Sequence, residues 1–547
     1  MTLVLPSLGA GLQLDDYLLR STIHAAPDTG TAINHLFVFM DGDARHARQL
    51  MDSGAFPWWA LPEGQVAFWR PLAALTHWLD FRGWPTALAL MHAQNILWFG
   101  ALIFAVAAFY RQLIPNAWVA GLAALLYAVD DAHGFAVGWL SNRNALMATF
   151  FGVLALSAHH RWRRASGRVG ALVSPLLLAF GLLSAEAALA TLAYLIAYAL
   201  FLERGPTLKR ILSLLPYAFV ILLWRLAYQR LGFSAWGTAY VDPARESLRY
   251  LQALIERGPI LMLAQWATPP AELYPYLGGD AARLWWWVAL AGLIALTLGV
   301  LPLLRRDATA RFWALGMSLS VLPSASSLPA NRLLFFVGLG AMGLLAQWLA
   351  SRQLPSFVFH LFVGLHLILA PLLLPFTAFS PAWLGNIEPS LNSLPTDNNF
   401  ASQTAVIVNA PGFFHTSYLA DVRAFNGLPV PVRVRYLAPG LAATRLTRAD
   451  SRTLVVHPTG GYLTGFDTVF RGDGQPLQLN ELIELAGMTI TIVEVTPDHR
   501  PATVSFQFET PLEDQSLRWF QWQAGRYAPF TPPAIGETVT LPPVKVW

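Results

Sequence analysis

LWWWVALAGLIALTLGVLPLL (residues 284–304) decides the fold, because it carries no charged residue over a length that can cross a bilayer. A membrane-spanning helix needs roughly 20 mostly apolar residues. Over the whole chain of 547 residues, 55% are hydrophobic and only 12% are charged, and the latter is about half the charged share of an ordinary soluble protein. A chain of this composition is expected to use the bilayer as its solvent.

Similar stretches recur along the first two thirds of the chain and predict a polytopic α-helical membrane protein of about 10–11 transmembrane helices. The predicted spans are 86–110, 115–131, 143–160, 169–184, 187–202, 211–230, 284–304, 310–328, 331–350 and 356–378. Residues 1–13 are apolar but short, and we expect them to be the tail of a first helix whose beginning is missing. They lack the basic start and cleavage site of a signal peptide.

Short basic loops set the orientation of these spans. Residues 159–168, 203–210 and 305–311 fall on one side of the count, and the positive-inside rule makes that side cytoplasmic. The opposite side receives the outer loop 14–85 and everything after about residue 380. The Arg-rich, cysteine-free composition fits a bacterial inner membrane, which predicts that the C-terminal part is periplasmic.

The chain divides into a transmembrane domain, 1–380, and an extracytoplasmic β-rich domain, 381–547. The second part has no span-length apolar run and shows alternating segments such as RTLVVHP and MTITIVEV between Pro, Gly and Asn pairs. Residues 245–265 have apolar residues at helical spacing with charges on the other face. This segment is expected to lie flat on the outer interface.

Several classes of function are disfavoured. The chain has no cysteine, so it forms no disulfide and holds no thiolate nucleophile or Cys-type metal site. Only Lys209 and Lys545 are lysines, and no basic tract indicates nucleic-acid binding. P-loop, HExxH and GxSxG motifs are missing as well, so nothing in the sequence indicates nucleotide hydrolysis.

Asp15 and Asp16 follow the first apolar segment directly, at the predicted outer interface. Two adjacent carboxylates there need water, a cation or a cationic ligand. They fit a general base, a metal ligand or both. They also fit a polar cap where the chain leaves the membrane, and the sequence leaves both interpretations open.

The stretch FWRPLAALTHWLDFRGW, followed by MHAQNILW, holds three further polar residues of interest. Arg70 precedes a proline near the membrane surface, where a guanidinium can hold a phosphate with two hydrogen bonds or extend to lipid headgroups. His92 and Asn95 share one face near the outer end of the next predicted helix. His92 fits a base, an orienting group or an ordinary packing residue.

Residues 127–146 (YAVDDAHGFAVGWLSNRNAL) bring the outer ends of two spans together. Asp130, Asp131 and His133 end one span, and Arg143 begins the next. Ionisable residues at membrane depth are costly and are functional candidates by default. A salt bridge between Arg143 and one of the two aspartates is the alternative interpretation.

Glu186 and Arg332 also lie at outer ends of predicted spans, among apolar neighbours. All these charged residues are predicted to lie on the same side of the membrane. This favours a functional site, because random placement would distribute them over both sides. Most tryptophans on the same side are interpreted as an interfacial aromatic belt, and stacking on a sugar is the alternative: Trp58, Trp59, Trp69, Trp139, Trp236, Trp266 and Trp285 to Trp287.

This arrangement resembles the GT-C superfamily of integral membrane glycosyltransferases. The likeness is to the branch with protein O-mannosyltransferases, transmembrane-and-TPR mannosyltransferases and their bacterial relatives. In that branch an acidic pair follows the first helix, as Asp15 and Asp16 do here. An RPL block precedes the second helix, as does Arg70–Pro71–Leu72, and an HxxN at its start is similar to His92 and Asn95.

The resemblance continues to about residue 350. An H…W…R stretch matches His133, Trp139 and Arg143, a later acidic residue matches Glu186, and an Arg at a late helix entry matches Arg332. Where an HP pair is usual the chain has His133–Gly134, and where KE is usual it has Ala185–Glu186. The C-terminal part shows no TPR pattern.

The resemblance implies transfer of a sugar from a polyprenyl-phosphate donor to a glycan, lipid or protein acceptor on the extracytoplasmic face. Asp15 or Asp16 would be the catalytic base, with a divalent cation such as Mg or Mn also bound there in some members. Arg70, Arg143 and Arg332 would hold the donor phosphate. Supporting roles are expected for His92, Asn95, Asp130, Asp131, His133 and Glu186.

Two other functions remain open from the sequence. A transporter or flippase for lipid-linked glycan requires a path to the cytoplasmic side, and inverted repeats are common in such proteins. A non-catalytic membrane scaffold would act through its β-rich domain and would need no deep outer cavity.

Overall fold

The computed structural model describes residues 1–165, 168–267, 269–351, 354–384 and 387–544. It divides into two compact units, each built from three stretches of chain. The helical unit comprises Met1–Phe37, Phe68–Ser234 and Asp242–Gly385. The sheet unit comprises Val38–Ala67, Ala235–Val241 and Asn386–Trp547.

Helices dominate the described residues. The α-helices are α1 (Asp15–Ala25), α2 (Thr29–His35), α3 (Ala44–Ser53), α4 (Pro71–Gly83), α5 (Leu88–Leu113), α6 (Ala117–Ala128), α7 (Gly134–Gly138), α8 (Arg143–Ala165), α9 (Arg168–Leu182), α10 (Ala190–Phe201), α11 (Thr207–Leu212), α12 (Leu215–Arg230), α13 (Ser247–Trp266), α14 (Gly279–Arg306), α15 (Ala308–Ser324), α16 (Phe335–Ala350), α17 (Ser356–Val363), α18 (Ala370–Phe379), α19 (Pro381–Leu384), α20 (Glu388–Asn392), α21 (Phe414–Ser417) and α22 (Leu419–Phe425). A π-helical turn, Gly364–Leu369, joins α17 to α18.

Four helical runs within the described residues are long and apolar enough to cross a membrane: Leu88–Leu113, Thr207–Arg230, Gly279–Arg306 and Ser356–Phe379. Shorter apolar helices occupy Ala117–Ala128, Val169–Leu182, Glu186–Phe201 and Phe335–Ala350. The helical membrane character expected from the sequence is therefore confirmed at this coarser level, while the larger number of spans stays a prediction.

Two segments outside the expected spans form different types of helix. The expected helix at 245–265 is confirmed as α13, and its place on the membrane surface stays a prediction. Residues 1–13 were expected to be the tail of a first helix, and Thr2–Gly9 is a 3-10 helix. Pro6 lies inside it, and proline cannot supply the backbone donor that a regular α-helix needs.

The strands are β1 (Val38–Asp41), β2 (Gln65–Ala67), β3 (Ser234–Trp236), β4 (Thr404–Ile407), β5 (Arg433–Tyr436), β6 (Thr444–Arg448), β7 (Thr453–Pro458), β8 (Leu482–Leu485), β9 (Met488–Val495), β10 (Pro501–Phe508), β11 (Leu517–Gln523), β12 (Arg526–Pro529) and β13 (Thr538–Leu541). Strands β1, β2 and β3 form a small sheet in that order.

The C-terminal β-rich region is confirmed and contains two sheets. One is antiparallel, in the order β13-β6-β7-β10-β9-β8, and the other has the order β12-β11-β4-β5 with β11, β4 and β5 parallel. In β9 the buried residues Met488, Ile490 and Ile492 alternate with outward-facing threonines. This alternation has the period of two that one buried sheet face requires.

Residues 38–67 supply core residues to the sheet unit. Trp59 is fully buried against Tyr436 and Tyr462, with ring centroids 5.7 and 6.3 Å away, and Trp58 packs on Phe506 at 5.8 Å. Placing both tryptophans in the aromatic belt was therefore wrong, as it was for the buried Trp266 of the helical unit. A tryptophan can bury more surface than any other residue, and these three rings are buried inside the protein.

A glycine fixes the end of α3 in the same unit. Gly54 has φ of 89°, the left-handed conformation common just after a helix. A Cβ atom at this position would lie 2.2 Å from the carbonyl oxygen of Val434. The close approach of α3 to β5 therefore requires a glycine.

Arg423, on α22, ties together the start of the C-terminal part of the sheet unit. Its guanidinium is fully buried and donates to the carbonyl oxygens of Leu391 (2.8 Å), Leu394 (3.3 Å), Pro395 (2.6 Å) and Pro429 (2.6 Å). These carbonyls lie in segments without regular ladder partners, so the arginine replaces the backbone donors that a sheet would supply.

We expect Arg423→Met to lower the local unfolding free energy of the sheet unit by about 3 kcal/mol, because several buried carbonyl oxygens lose their donor. Hydrogen–deuterium exchange of peptides covering β4 and β5 in the intact protein measures this. The matched control is Arg526→Met, at an exposed arginine of the same unit. Equal protection in the two variants would contradict the prediction.

Candidate functional site

Asp15 and Asp16 are the first two residues of α1, and hydrogen bonds hold the carboxylate of Asp16 in place. Oδ1 of Asp16 accepts hydrogen bonds from the backbone N–H of Ser141 (2.9 Å) and from its hydroxyl (2.5 Å), and Oδ2 accepts from the N–H of Gln13 (3.0 Å). Leu14, directly before the pair, has φ of 45° and ψ of −114°, a sparsely populated conformation for a non-glycine residue. The backbone is therefore strained directly before the two aspartates.

The environments of the two carboxylates differ. Asp16 is fully buried, and this desolvation outweighs its three hydrogen bonds and raises the pKa of its carboxyl from 3.8 to about 7. Asp15 is half-buried. Successive helical residues point about 100° apart. The pair thus consists of one carboxyl locked inside the protein and one nearer its surface.

Residues 137–141 are bound to the chain before α1 and to α5. The indole N–H of Trp139 donates to the carbonyl oxygen of Gln13 at 3.1 Å. The side-chain amide of Asn95 donates to the carbonyl oxygens of Val137 and Trp139, both at 3.2 Å. His92, one turn earlier on α5, donates through Nε2 to the carbonyl oxygen of Gly11 at 2.9 Å. His92 and Asn95 therefore position the segments that carry Asp16 and its partner.

Arg143 is fully buried and forms an ion pair with Asp80, with nitrogen and oxygen 2.6 Å apart. Its Nε donates to Oδ1 of Asn95 at 2.6 Å, and Nη2 donates to the carbonyl oxygen of Met91 at 3.1 Å. The alternative interpretation, a salt bridge to Asp130 or Asp131, is wrong because the partner is Asp80. Asp80 was missed, although a carboxylate in an apolar helix is itself a sign of a buried partner.

Arg332 contacts the same short stretch of chain as Asp16. Its Nη1 donates to Oδ1 of Asn142 at 3.1 Å, and its guanidinium lies 5.4 Å from the ring centroid of Trp139. Asn142 directly follows Ser141, the partner of Asp16. Arg332 is half-buried, so its charge is closer to solvent than that of Arg143. We call Asp15, Asp16, Asn95, Arg143 and Arg332 the central cluster.

Arg70 and Glu186 form a separate ion pair. Nε and Nη2 of Arg70 both lie 2.8 Å from Oε2 of Glu186, and 18% and 24% of the two side chains are exposed. Arg70 also lies over the ring of Phe68, 4.3 Å from its centroid. Arg70 directly precedes α4, and Thr76, six residues further along that helix, accepts a hydrogen bond from Nη1 of Arg143 at 3.3 Å.

The remaining predicted residues have structural partners. Asp130 accepts from Nε2 of Gln265 at 2.7 Å and from the N–H of Ala132 at 3.1 Å. The buried ring of His133 stacks on Phe335 with centroids 4.5 Å apart and an interplanar angle of 3°. The carbonyl of Asp131 accepts from the hydroxyl of Thr377 at 3.0 Å. These contacts join helices of the bundle, and the short helix Asp131–His133 also packs against the short helix Asn331–Leu333, which carries Arg332.

No three His, Asp or Glu residues within the described ranges are grouped so as to hold a metal ion. The cation expected at Asp15 and Asp16 stays a prediction. Comparison of the chain with protein-family models and with curated proteins found no match.

We expect Asp80→Leu and Arg143→Met to be strongly destabilising one at a time, by about 3–5 kcal/mol, because each leaves the other charge buried and unpaired. The double variant should be less destabilised than the sum of the two. Thermal unfolding of all four proteins in the same nanodiscs gives the coupling energy. Additive effects would show that the two charges do not compensate each other.

The raised pKa of Asp16 predicts a pH-dependent stability. Because the folded state binds this proton more tightly than the unfolded chain, the contribution is complete below about pH 4 and is lost as the pH rises through about 7. The thermal midpoint of wild type minus that of Asp16→Asn should therefore fall between pH 5 and pH 8. Asp280→Asn, at a carboxylate with 99% exposure, is the control. A difference in thermal midpoint between wild type and Asp16→Asn that increases with pH would contradict the raised pKa of Asp16.

Proposed function

We propose that the chain is a membrane glycosyltransferase of GT-C type, which transfers a sugar from a polyprenyl-phosphate donor to an acceptor on the extracytoplasmic face. One observation carries the proposal. The carboxylate of Asp16 and the guanidinium of Arg332 contact consecutive residues, Ser141 and Asn142, although they lie more than 300 positions apart in the sequence. Asp15 directly precedes Asp16 on α1, so a candidate base and a candidate phosphate-binding cation belong to neighbouring segments, as this reaction requires.

We assign the base to Asp15. An inverting transfer needs a carboxylate that reaches the acceptor hydroxyl, and the half-buried Asp15 is closer to solvent than the fully buried Asp16. The acceptor oxygen attacks the anomeric carbon as its proton passes to Asp15. The bond between that carbon and the phosphate oxygen breaks, and polyprenyl phosphate leaves. Asp16 acts as a positioning residue that holds Ser141.

We assign the leaving phosphate to Arg332, with Arg70 as a second contact. A cation aimed at charge that develops in the transition state contributes to rate directly. Arg332 and Arg70 are partly exposed, whereas Arg143 is enclosed by the protein and paired with Asp80. Arg143 is therefore proposed to position Asn95 and α4 and not to touch the donor.

The finer topology belongs to the same proposal. The chain would cross a bacterial inner membrane about 10–11 times, with the C-terminal domain and the central cluster on the periplasmic side. The basic loops at 159–168, 203–210 and 305–311 support this orientation. A divalent cation such as Mg or Mn at Asp15 would screen the charge between donor and base.

Sugar transfer in vitro tests the proposal. Purified protein in lipid nanodiscs is given radiolabelled polyprenyl-phosphate sugars, an extract of envelope glycans and lipids as acceptors, and Mg or Mn. Wild type should release label from the lipid, and Asp15→Asn should be at least about 100-fold slower because the general base is lost. Arg332→Gln should be slower by a similar factor, since the leaving phosphate loses its partner.

Asp280→Asn, on the first turn of α14, is the matched control and should keep the wild-type rate. Full activity in Asp15→Asn would remove Asp15 from the mechanism. If no donor is consumed under any metal condition by a protein that unfolds cooperatively, the transferase proposal fails.

A further inference from the structure

A cleft of about 500 Å³ lies between α13, the 3-10 helix Ala271–Tyr276 and the first turns of α14, all in the helical unit. Its volume falls within the usual range for small-ligand sites. The residues that give it chemical character are Gln252, Glu256, Tyr274, Arg283, Trp286 and Trp287. None of them belongs to the central cluster or to the Arg70–Glu186 pair.

Aromatic rings form one wall of the cleft and are held in place. The indole N–H of Trp286 donates to the carbonyl oxygen of Ile255 at 2.9 Å, which fixes α14 against α13. Trp286 and Trp287 meet edge to face with centroids 4.9 Å apart. Tyr274 lines the same cleft and interacts electrostatically with Glu256. The wall thus offers electron-rich ring faces next to a carboxylate, a combination that attracts an organic cation.

One negative and one positive side chain line the cleft. Glu256 is exposed on α13. Arg283 on α14 is 77% exposed and 2.7 Å from Asp280, whose side chain is 99% exposed. Exposed ion pairs of this kind contribute little stability, so Arg283 is able to turn to a stronger acceptor. The lining charges cancel, which favours a ligand that carries one charge of each sign.

The surroundings of the cleft are apolar and exposed. The most apolar window of α14 has only 11% of its residues buried, and Leu284 and Val288 are 66% and 55% exposed. On α13, Leu248 and Ile255 are 79% and 66% exposed. A ligand with its polar head in the cleft therefore has an apolar surface of membrane-spanning length beside it for hydrocarbon chains.

We propose that this cleft binds the headgroup of a zwitterionic phospholipid, of the phosphoethanolamine class. The phosphate accepts from the guanidinium of Arg283, and the ammonium group donates to Glu256 and lies against the faces of Trp286 and Trp287. The acyl chains follow the exposed side of α14. An anionic lipid matches Arg283 but meets the carboxylate of Glu256, so the site discriminates by charge.

Lipid binding to the full-length protein in detergent micelles tests this by native mass spectrometry. Phosphatidylethanolamine, phosphatidylglycerol and a glucosyl diacylglycerol, all with the same acyl chains, are titrated separately. Wild type should bind phosphatidylethanolamine about tenfold more tightly than the other two. Glu256→Gln should remove most of the preference over phosphatidylglycerol, because it removes the partner of the ammonium group. Arg283→Gln should remove most of the preference over the glucosyl lipid, because it removes the partner of the phosphate.

Arg305→Gln, at the opposite end of α14, is the matched control and should keep the preference. Equal binding of phosphatidylethanolamine and phosphatidylglycerol by wild type would overturn the proposal. So would a preference that survives in both cleft variants, or tighter binding of the glucosyl lipid, which would assign the cleft to a glycan. The assay uses no sugar donor, so its outcome is independent of the proposed transferase activity.

Discussion

The guanidinium of Arg143 is the charge around which the helical unit is organised. Enclosing an arginine away from water costs several kcal/mol, and the cost is offset only when ion pairing and hydrogen bonding are nearly complete. Asp80 on α4 supplies the countercharge and Asn95 on α5 accepts a hydrogen bond. Asn95 in turn donates a hydrogen bond to the carbonyl oxygen of Trp139, two residues before Ser141, whose N–H donates to Asp16. The position of the acidic pair thus depends on a buried cation that need not touch a substrate.

The acidic pair illustrates how a step of one residue along a helix separates two roles. Burial dominates at Asp16, whose pKa rises despite three hydrogen bonds to its carboxylate. Asp15 lies one residue earlier and is nearer the surface. Adjacent residues of a helix differ in direction by about 100°, so a sequence with two consecutive aspartates gives two carboxyls of different chemistry. Leu14, directly before the pair, has a strained backbone with φ of 45°.

The sequence predicted much of the fold because hydropathy and alternation are local signals. The long apolar helices near 86–110, 284–304 and 356–378 and the strands MTITIVEV and RTLVVHP follow from spacing alone. The candidate site was predictable as a set of residues near the ends of helices. The pairing of these residues was not predictable, because Asp80 and Arg143 are separated by the three helices α5, α6 and α7 and a single sequence carries no contact information.

The same limit applies to the division into units. Residues 38–67 lie within a loop that sequence order assigns to the transmembrane part, and only tertiary packing shows that Trp58 and Trp59 enter the core of the sheet unit. Their aromatic character fitted a membrane interface equally well.

This interleaving has a consequence for biosynthesis. Trp59 leaves the ribosome long before Tyr436 and Tyr462, the rings against which it packs. At about 5–20 residues per second the interval is on the order of 20–80 s. Throughout that time an aromatic segment of the nascent chain is without its core, while the intervening helices are inserted. Such a segment stays exposed to aggregation until the last strands of the sheet unit have been made.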